Sequence, residues 1–158
     1  MNKKLITRIA IGVGVCLFVG FLSSFATQSS VNTWYSTLNK PSFNPPNWVF
    51  GPVWTLLYIL MGVAAGIVWS KGFYHKWVKT AMYHFWFQLI FNALWSIVFF
   101  GFQKPFWALL VILTLLVLIV LTIKWFKVVS KTAAYLLIPY VLWVCFATLL
   151  NFKIWQLN

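Results

Sequence analysis

WYSTLNKPSFNPPNWVFGPVWTLLY, residues 34–58, decides how the rest of the chain is read. It holds four of the six prolines, Pro41, Pro45, Pro46 and Pro52, together with Trp34, Trp48 and Trp54. Proline fixes φ, removes an amide donor and turns the residue before it away from helix. The stretch is therefore expected to form no helix until after Pro52, although the apolar run that follows it is counted from Trp48. It reads as an ordered, aromatic-rich cover that leads into a helix. Hydrophobic helix is expected everywhere else.

Composition supports that division. Of the 158 residues, 63% are hydrophobic and only 8% are charged, where a soluble domain carries roughly 25% charged residues. Exposing so much apolar surface to water would aggregate the chain, so lipid is the expected solvent for most of it. There is no Asp or Glu against twelve Lys and Arg, giving a net charge of +12. Paired-carboxylate acid/base chemistry, carboxylate metal sites and an acidic proton relay are thereby excluded. The cations sit in small groups at helix ends rather than along one face. That pattern suits anionic lipid headgroups and gives no nucleic-acid footprint. Cys16 and Cys145 lie inside apolar runs without a CxxC spacing and read as small buried hydrophobes.

Five apolar segments, 5–26, 48–69, 81–101, 106–126 and 133–152, each approach the ~20 residues that a bilayer core requires. The fold class expected is an all-α membrane protein, a five-transmembrane-helix bundle forming one domain over residues 1–158. A covering loop occupies 27–47. The first segment has the alternative of a signal peptide, but its apolar run exceeds the usual length. Nine cations (Lys3, Lys4, Arg8, Lys71, Lys76, Lys79, Lys124, Lys127 and Lys131) fall at one end and three (Lys40, Lys104 and Lys153) at the other. The positive-inside bias then puts the N-terminus in the cytoplasm, with the cover and C-terminus outward. Gly12, Cys16 and Gly20, and Gly62 with Gly66, recur at four-residue spacing and allow close helix approach. Such faces join helices within one chain or between the chains of a homodimer; pairing within the chain is the expectation.

Depth then assembles a site. At ~1.5 Å per residue, Trp54, Trp95 and Ala147 lie about 9 Å below the outer edge, and Asn92 and Trp143 about 14–15 Å below it. Aromatic and polar residues of three helices thus share one level beneath the cover. In the third helix His84, Gln88, Asn92 and Ser96 recur every four residues as a polar stripe. Polar groups at membrane depth face protein or a cavity, so the stripe either bonds neighbouring helices or lines a site. Trp48, Trp69, Trp77, Trp107, Trp125 and Trp155 sit near helix ends, where interfacial anchoring explains them. Trp54, Trp95 and Trp143 lie deeper and offer flat faces to a wide, mostly apolar ligand. Neither His75, in a basic loop, nor His84, far from the covered end, reads as a metal ligand.

These residues resemble the translocator protein family, also called the tryptophan-rich sensory proteins or peripheral benzodiazepine receptors. The likeness runs through Trp34-Tyr35, Lys40-Pro41, Pro45-Pro46, Trp48 and Pro52-Val53-Trp54-Thr55. It resumes at Gln88-Leu89, Asn92, Leu94-Trp95-Ser96 and Phe99-Phe100-Gly101, and ends with Pro139-Tyr140, Trp143, Phe146-Ala147 and Leu150-Asn151. The resemblance implies a five-helix bundle that binds porphyrins and benzodiazepine-type ligands under the first loop. Tyr35, Pro45, Trp54, Asn92, Trp95, Ser96, Trp143 and Ala147 match the family's pocket. Two departures stand out. Phe152 replaces the Tyr of the family's sterol-recognition pattern, and the third helix lacks a small-xxx-small face for a dimer.

The leading expectation is a receptor-like membrane protein that takes a tetrapyrrole such as protoporphyrin IX or haem as ligand and requires no cofactor. Trp54, Trp95 and Trp143 would pack on the macrocycle, Asn92 and Ser96 bond its polar edge, Ala147 leave room, and Lys40 pair with a propionate at the mouth. Porphyrin breakdown and passive transport of a hydrophobic cargo are the alternatives.

Overall fold

A computed structural model describes residues 2–158. Its helices are α1 (Lys3–Ser30), α2 (Asn47–Ser70), α3 (Lys76–Ser96), α4 (Pro105–Val129), α5 (Lys131–Leu136) and α6 (Ile138–Leu157). A π-helical turn, Ile97–Gly101, continues α3, and α5 with α6 forms one broken rod. Counted as rods, five helices are long and apolar enough to cross a membrane. The all-helical, five-span expectation holds.

The boundaries show which local signals won. Asn2 caps α1 by accepting from the Leu5 amide at 2.7 Å. The helix runs on past Ala26 because no glycine or proline stops it, and Ser29 returns its hydroxyl to the Ala26 carbonyl. The expectation of no helix before Pro52 is wrong. Helix α2 starts at Asn47, directly after Pro46, and contains Pro52. A helix accepts Pro52 near its start at the loss of one bond, the one to the Trp48 carbonyl, and proline's fixed φ is already helical. The fifth span is not one continuous helix either. It turns at Leu137, because Pro139 has no amide to return to the Tyr135 carbonyl.

Helices α1 and α2 cross in direct backbone contact. A Cβ on Gly62 would strike the main chain of Val13, and one on Gly66 the main chain of Ile9. This is the close approach that small residues permit where lipid offers no hydrophobic drive. Helices α3 and α4 pack along their length, with Phe85 and Phe126 stacked at 5.8 Å. The up-down order of the rods gathers the nine cations at the end opposite the cover. There the Arg8 guanidinium lies 4.0 Å above the Trp69 ring. Cys16 is buried, but Cys145 is exposed on α6 and so is not the core residue expected of it.

A polar chain crosses the core. The Tyr58 hydroxyl donates to Asn92 Oδ1 at 2.6 Å, Asn92 Nδ2 donates to the Tyr140 hydroxyl at 2.8 Å, and Tyr140 donates to Gln88 Oε1 at 2.7 Å. It ties α2, α3 and α6 into one unit and gives Tyr58, Asn92, Tyr140 and Gln88 each a partner away from water.

Candidate ligand-binding cavity

Toward the covered end α1 and α2 part. Gly20 of α1 still faces the Tyr58 ring, yet a Cβ on Gly51 of α2 would meet nothing within 4 Å. The space so opened is a cavity of about 680 Å³ bounded by α1, α2, the end of α3, the π turn and α6. That size falls within the range of small-molecule sites.

One wall is aromatic. Trp54 of α2 stands 6.2 Å from Trp95 of α3 and 6.4 Å from Trp143 of α6, ring centre to ring centre. All three line the cavity, as do Ser96 and Ala147. The turn brings Phe99 and Phe100 onto the same wall. A π-helical turn, with its i→i+5 bonds, advances fewer degrees per residue than an α-turn and so brings consecutive side chains nearer to one face, and here both rings reach Tyr35 of the cover, at 6.2 and 5.5 Å. The Trp95 indole N–H is held by Asn151 Oδ1 at 2.9 Å, and Asn151 in turn donates to the Pro105 carbonyl at 2.8 Å. Trp95 is thereby fixed in angle. The Trp143 Nε1 donor is buried without a partner, which costs about 1–3 kcal/mol.

The cover is held from inside. Tyr35, in a short 3₁₀ turn (Tyr35–Thr37), is 3% exposed and donates its hydroxyl to Asn44 Oδ1 at 3.0 Å. Burial pushes the Tyr35 phenol above its ordinary value, partly offset by the Asn44 bond. Lys40 folds back beneath it. Its Nζ donates to the Tyr35 carbonyl at 2.9 Å and the Leu38 carbonyl at 3.3 Å, and lies 4.8 Å from the Tyr35 ring centre.

Of the residues expected at the site, the structure brings Tyr35, Trp54, Trp95, Ser96, Trp143 and Ala147 to the cavity wall. Three others stand apart. Asn92 is 1% exposed, and its amide is consumed on both sides by Tyr58 and Tyr140. It acts as a helix bond, the other reading of the α3 stripe. Pro45 shapes the cover, its carbonyl accepting from Asn44 at 3.2 Å. Lys40 is engaged by the cover's own carbonyls. At the far end His84 Nδ1 meets the Thr80 carbonyl at 2.8 Å. Among the described residues no group of His or Cys is placed to hold a metal.

The opposite wall escaped the sequence reading. It is α1, which contributes Ser23, Ser24, Thr27 and Gln28, with Asn32 just beyond it and Asn47 opening α2. The signal was present: Gly20, Ser24, Gln28 and Asn32 recur every four residues, the spacing that marks one helix face. Trp48, read as an interfacial anchor, also borders the cavity while 74% exposed. No charged side chain lines the space among the described residues. Such an enclosure suits a flat apolar body with a hydrogen-bonding edge.

The family model described as the TspO/MBR family matches residues 12–156. The chain is 47% identical over 158 residues to the tryptophan-rich protein TspO of Chlorobaculum tepidum, covering 100% of this chain and 99% of that protein. It is 45% identical over 154 residues to the protein of the same name from Archaeoglobus fulgidus, covering 97% of this chain and 98% of that one. The likeness reaches the translocator protein of Homo sapiens, 41% identical over 129 residues, or 79% of this chain and 75% of the human one. A match spanning nearly the whole chain, on a bundle of five membrane-length helices, gives one conclusion: this is a multi-pass integral membrane protein that belongs to the TspO/MBR family.

Proposed function

We propose that the chain is a receptor-like membrane protein that binds a tetrapyrrole, and benzodiazepine-type compounds in competition with it, in the cavity beneath the cover. The observation that carries this reading is the meeting of Trp54, Trp95 and Trp143, from three different helices, on one wall of that space. Three indoles at such angles offer both face and edge contacts to a macrocycle. Tyr35 and the π-turn phenylalanines close over it, and Ala147 leaves the depth a larger side chain would fill. The buried Trp143 N–H gains a partner when an acceptor on the ligand reaches it, which favours binding.

The test is a titration of the detergent-solubilised protein with protoporphyrin IX, followed by tryptophan fluorescence. Saturable quenching at one porphyrin per chain, reversed by a benzodiazepine-type competitor, is the expected result. Quenching that rises without saturation and ignores the competitor would remove the reading. The same rings are the electron-rich groups on which oxidative breakdown of the ligand would draw. Turnover above that of heat-denatured protein separates breakdown from binding.

The concentration of nine cations at the end away from the cover supports a cytoplasmic N-terminus and an outward cover. A Ser36→Cys variant should accept a membrane-impermeant thiol reagent from outside intact cells. Labelling only after lysis would reverse the orientation.

A further inference from the structure

The cavity presents a planar apolar ligand with a problem at its polar edge. No charged side chain lines it among the described residues, and Lys40, the cation nearest in sequence to the mouth, is held by the Tyr35 and Leu38 carbonyls. The mouth is bordered instead by primary amides. Gln28 lies in the last turns of α1, Asn32 just beyond that helix, and Asn47 at the first position of α2. All three line the cavity and all three are exposed. Among the described residues none of these side-chain amides is engaged by another protein group; Asn32 takes part only through its backbone carbonyl. Each offers two N–H donors, and all three border the space that opens where α1 and α2 have parted. A carboxylate accepts such donors as charge-assisted bonds, which are shorter and stronger than neutral ones.

Resting on the reading of the cavity as a tetrapyrrole site, we infer that Gln28, Asn32 and Asn47 form a rim that selects ligands bearing carboxylates. The ring body lies among the indoles, and its acid groups point out of the mouth to the three amides. The rim therefore sets which macrocycle is taken, while the indoles set that a macrocycle is taken.

Two probes separate the levels: mesoporphyrin IX, with two propionic acids, and etioporphyrin, with none. The native protein should bind mesoporphyrin about tenfold or more tightly than etioporphyrin, the effect of one or two charge-assisted bonds. The triple variant Gln28→Met, Asn32→Leu, Asn47→Leu should lose that preference and keep its etioporphyrin affinity. Gln28→Glu should weaken mesoporphyrin alone by like-charge repulsion. Retention of the acid preference in the triple variant, or parallel loss of both porphyrins, overturns the rim. Native protein that binds both equally also overturns it and leaves the cavity reading standing. If neither porphyrin binds the native protein, the rim and the cavity reading fall together.

Discussion

The side chain of Asn158 brackets the backbone of Asn39. Its Oδ1 accepts from the Asn39 amide at 3.1 Å while its Nδ2 donates to the Asn39 carbonyl at 2.9 Å. The pair joins positions 119 residues apart, so the end of α6 clasps the cover over the cavity that α6 itself helps to line. Asn158→Ala should loosen the cover by about 1 kcal/mol without unfolding the bundle. Amide exchange at residues 36–44 reports it: faster exchange confined to that segment is expected, and an unchanged pattern would deny the clasp any role.

Asn92 offers a sharper contrast between binding and folding. It was expected to bond the ligand, yet it joins Tyr58 to Tyr140 inside the core. Asn92→Leu should destabilise the protein by about 1–3 kcal/mol, since two hydroxyls lose a partner away from water. Thermal unfolding in detergent measures this. A normal unfolding temperature together with lost porphyrin binding would return Asn92 to the site.

The α1–α2 crossing is predicted to be intolerant of a single methyl. Gly62→Ala drives a Cβ into the Val13 main chain, and overpacking of this kind costs about 1–3 kcal/mol. Gly14→Ala supplies the control, because a Cβ there meets nothing within 4 Å. It should be neutral, or stabilising by up to about 1 kcal/mol through helix propensity. Equal unfolding temperatures for the two variants would contradict the packing account.

Tyr35 gives the cover a pH limit. Its folded value is raised above 10.0 by burial, so the fold favours the neutral phenol. That contribution is complete below about pH 10 and is lost as pH climbs through the raised folded value. Protease sensitivity of the cover should therefore stay flat to pH 9 and increase only in the alkaline range. Tyr35→Phe should remove the alkaline step. A step centred near neutrality would assign the cover's closure to another group.

Much of this architecture is legible in the chain because lipid imposes coarse rules. A charge-free run of membrane length has few alternatives to helix, and the depth of Trp54, Trp95 and Trp143 follows from counting residues along such rods. What escaped depended on local competition. Pro52 is a breaker by propensity, yet near a helix start it costs one bond. Pro139 was passed over inside an apolar run, although its missing amide breaks the fifth rod at Leu137. Asn92 shares a helical stripe with Ser96, but a stripe does not tell which neighbour each polar group finds. The α1 wall was overlooked because the first span was ended at Ala26, which put Gln28 and Asn32 in the cover, whereas the helix runs on to Ser30.

The most direct measurement fills the cavity from its own wall. Ala147 is 5% exposed and borders the space that the three indoles enclose. Replacing it with Phe in the purified protein, and titrating both proteins with protoporphyrin IX, isolates the cavity from the lipid-facing surface. The account predicts that Ala147→Phe lowers porphyrin affinity at least about tenfold, the loss expected when a ring-sized volume is taken from a site of this size, while the unfolding temperature is retained. Undiminished affinity in the Phe variant would place the porphyrin elsewhere on the protein and contradict the central claim.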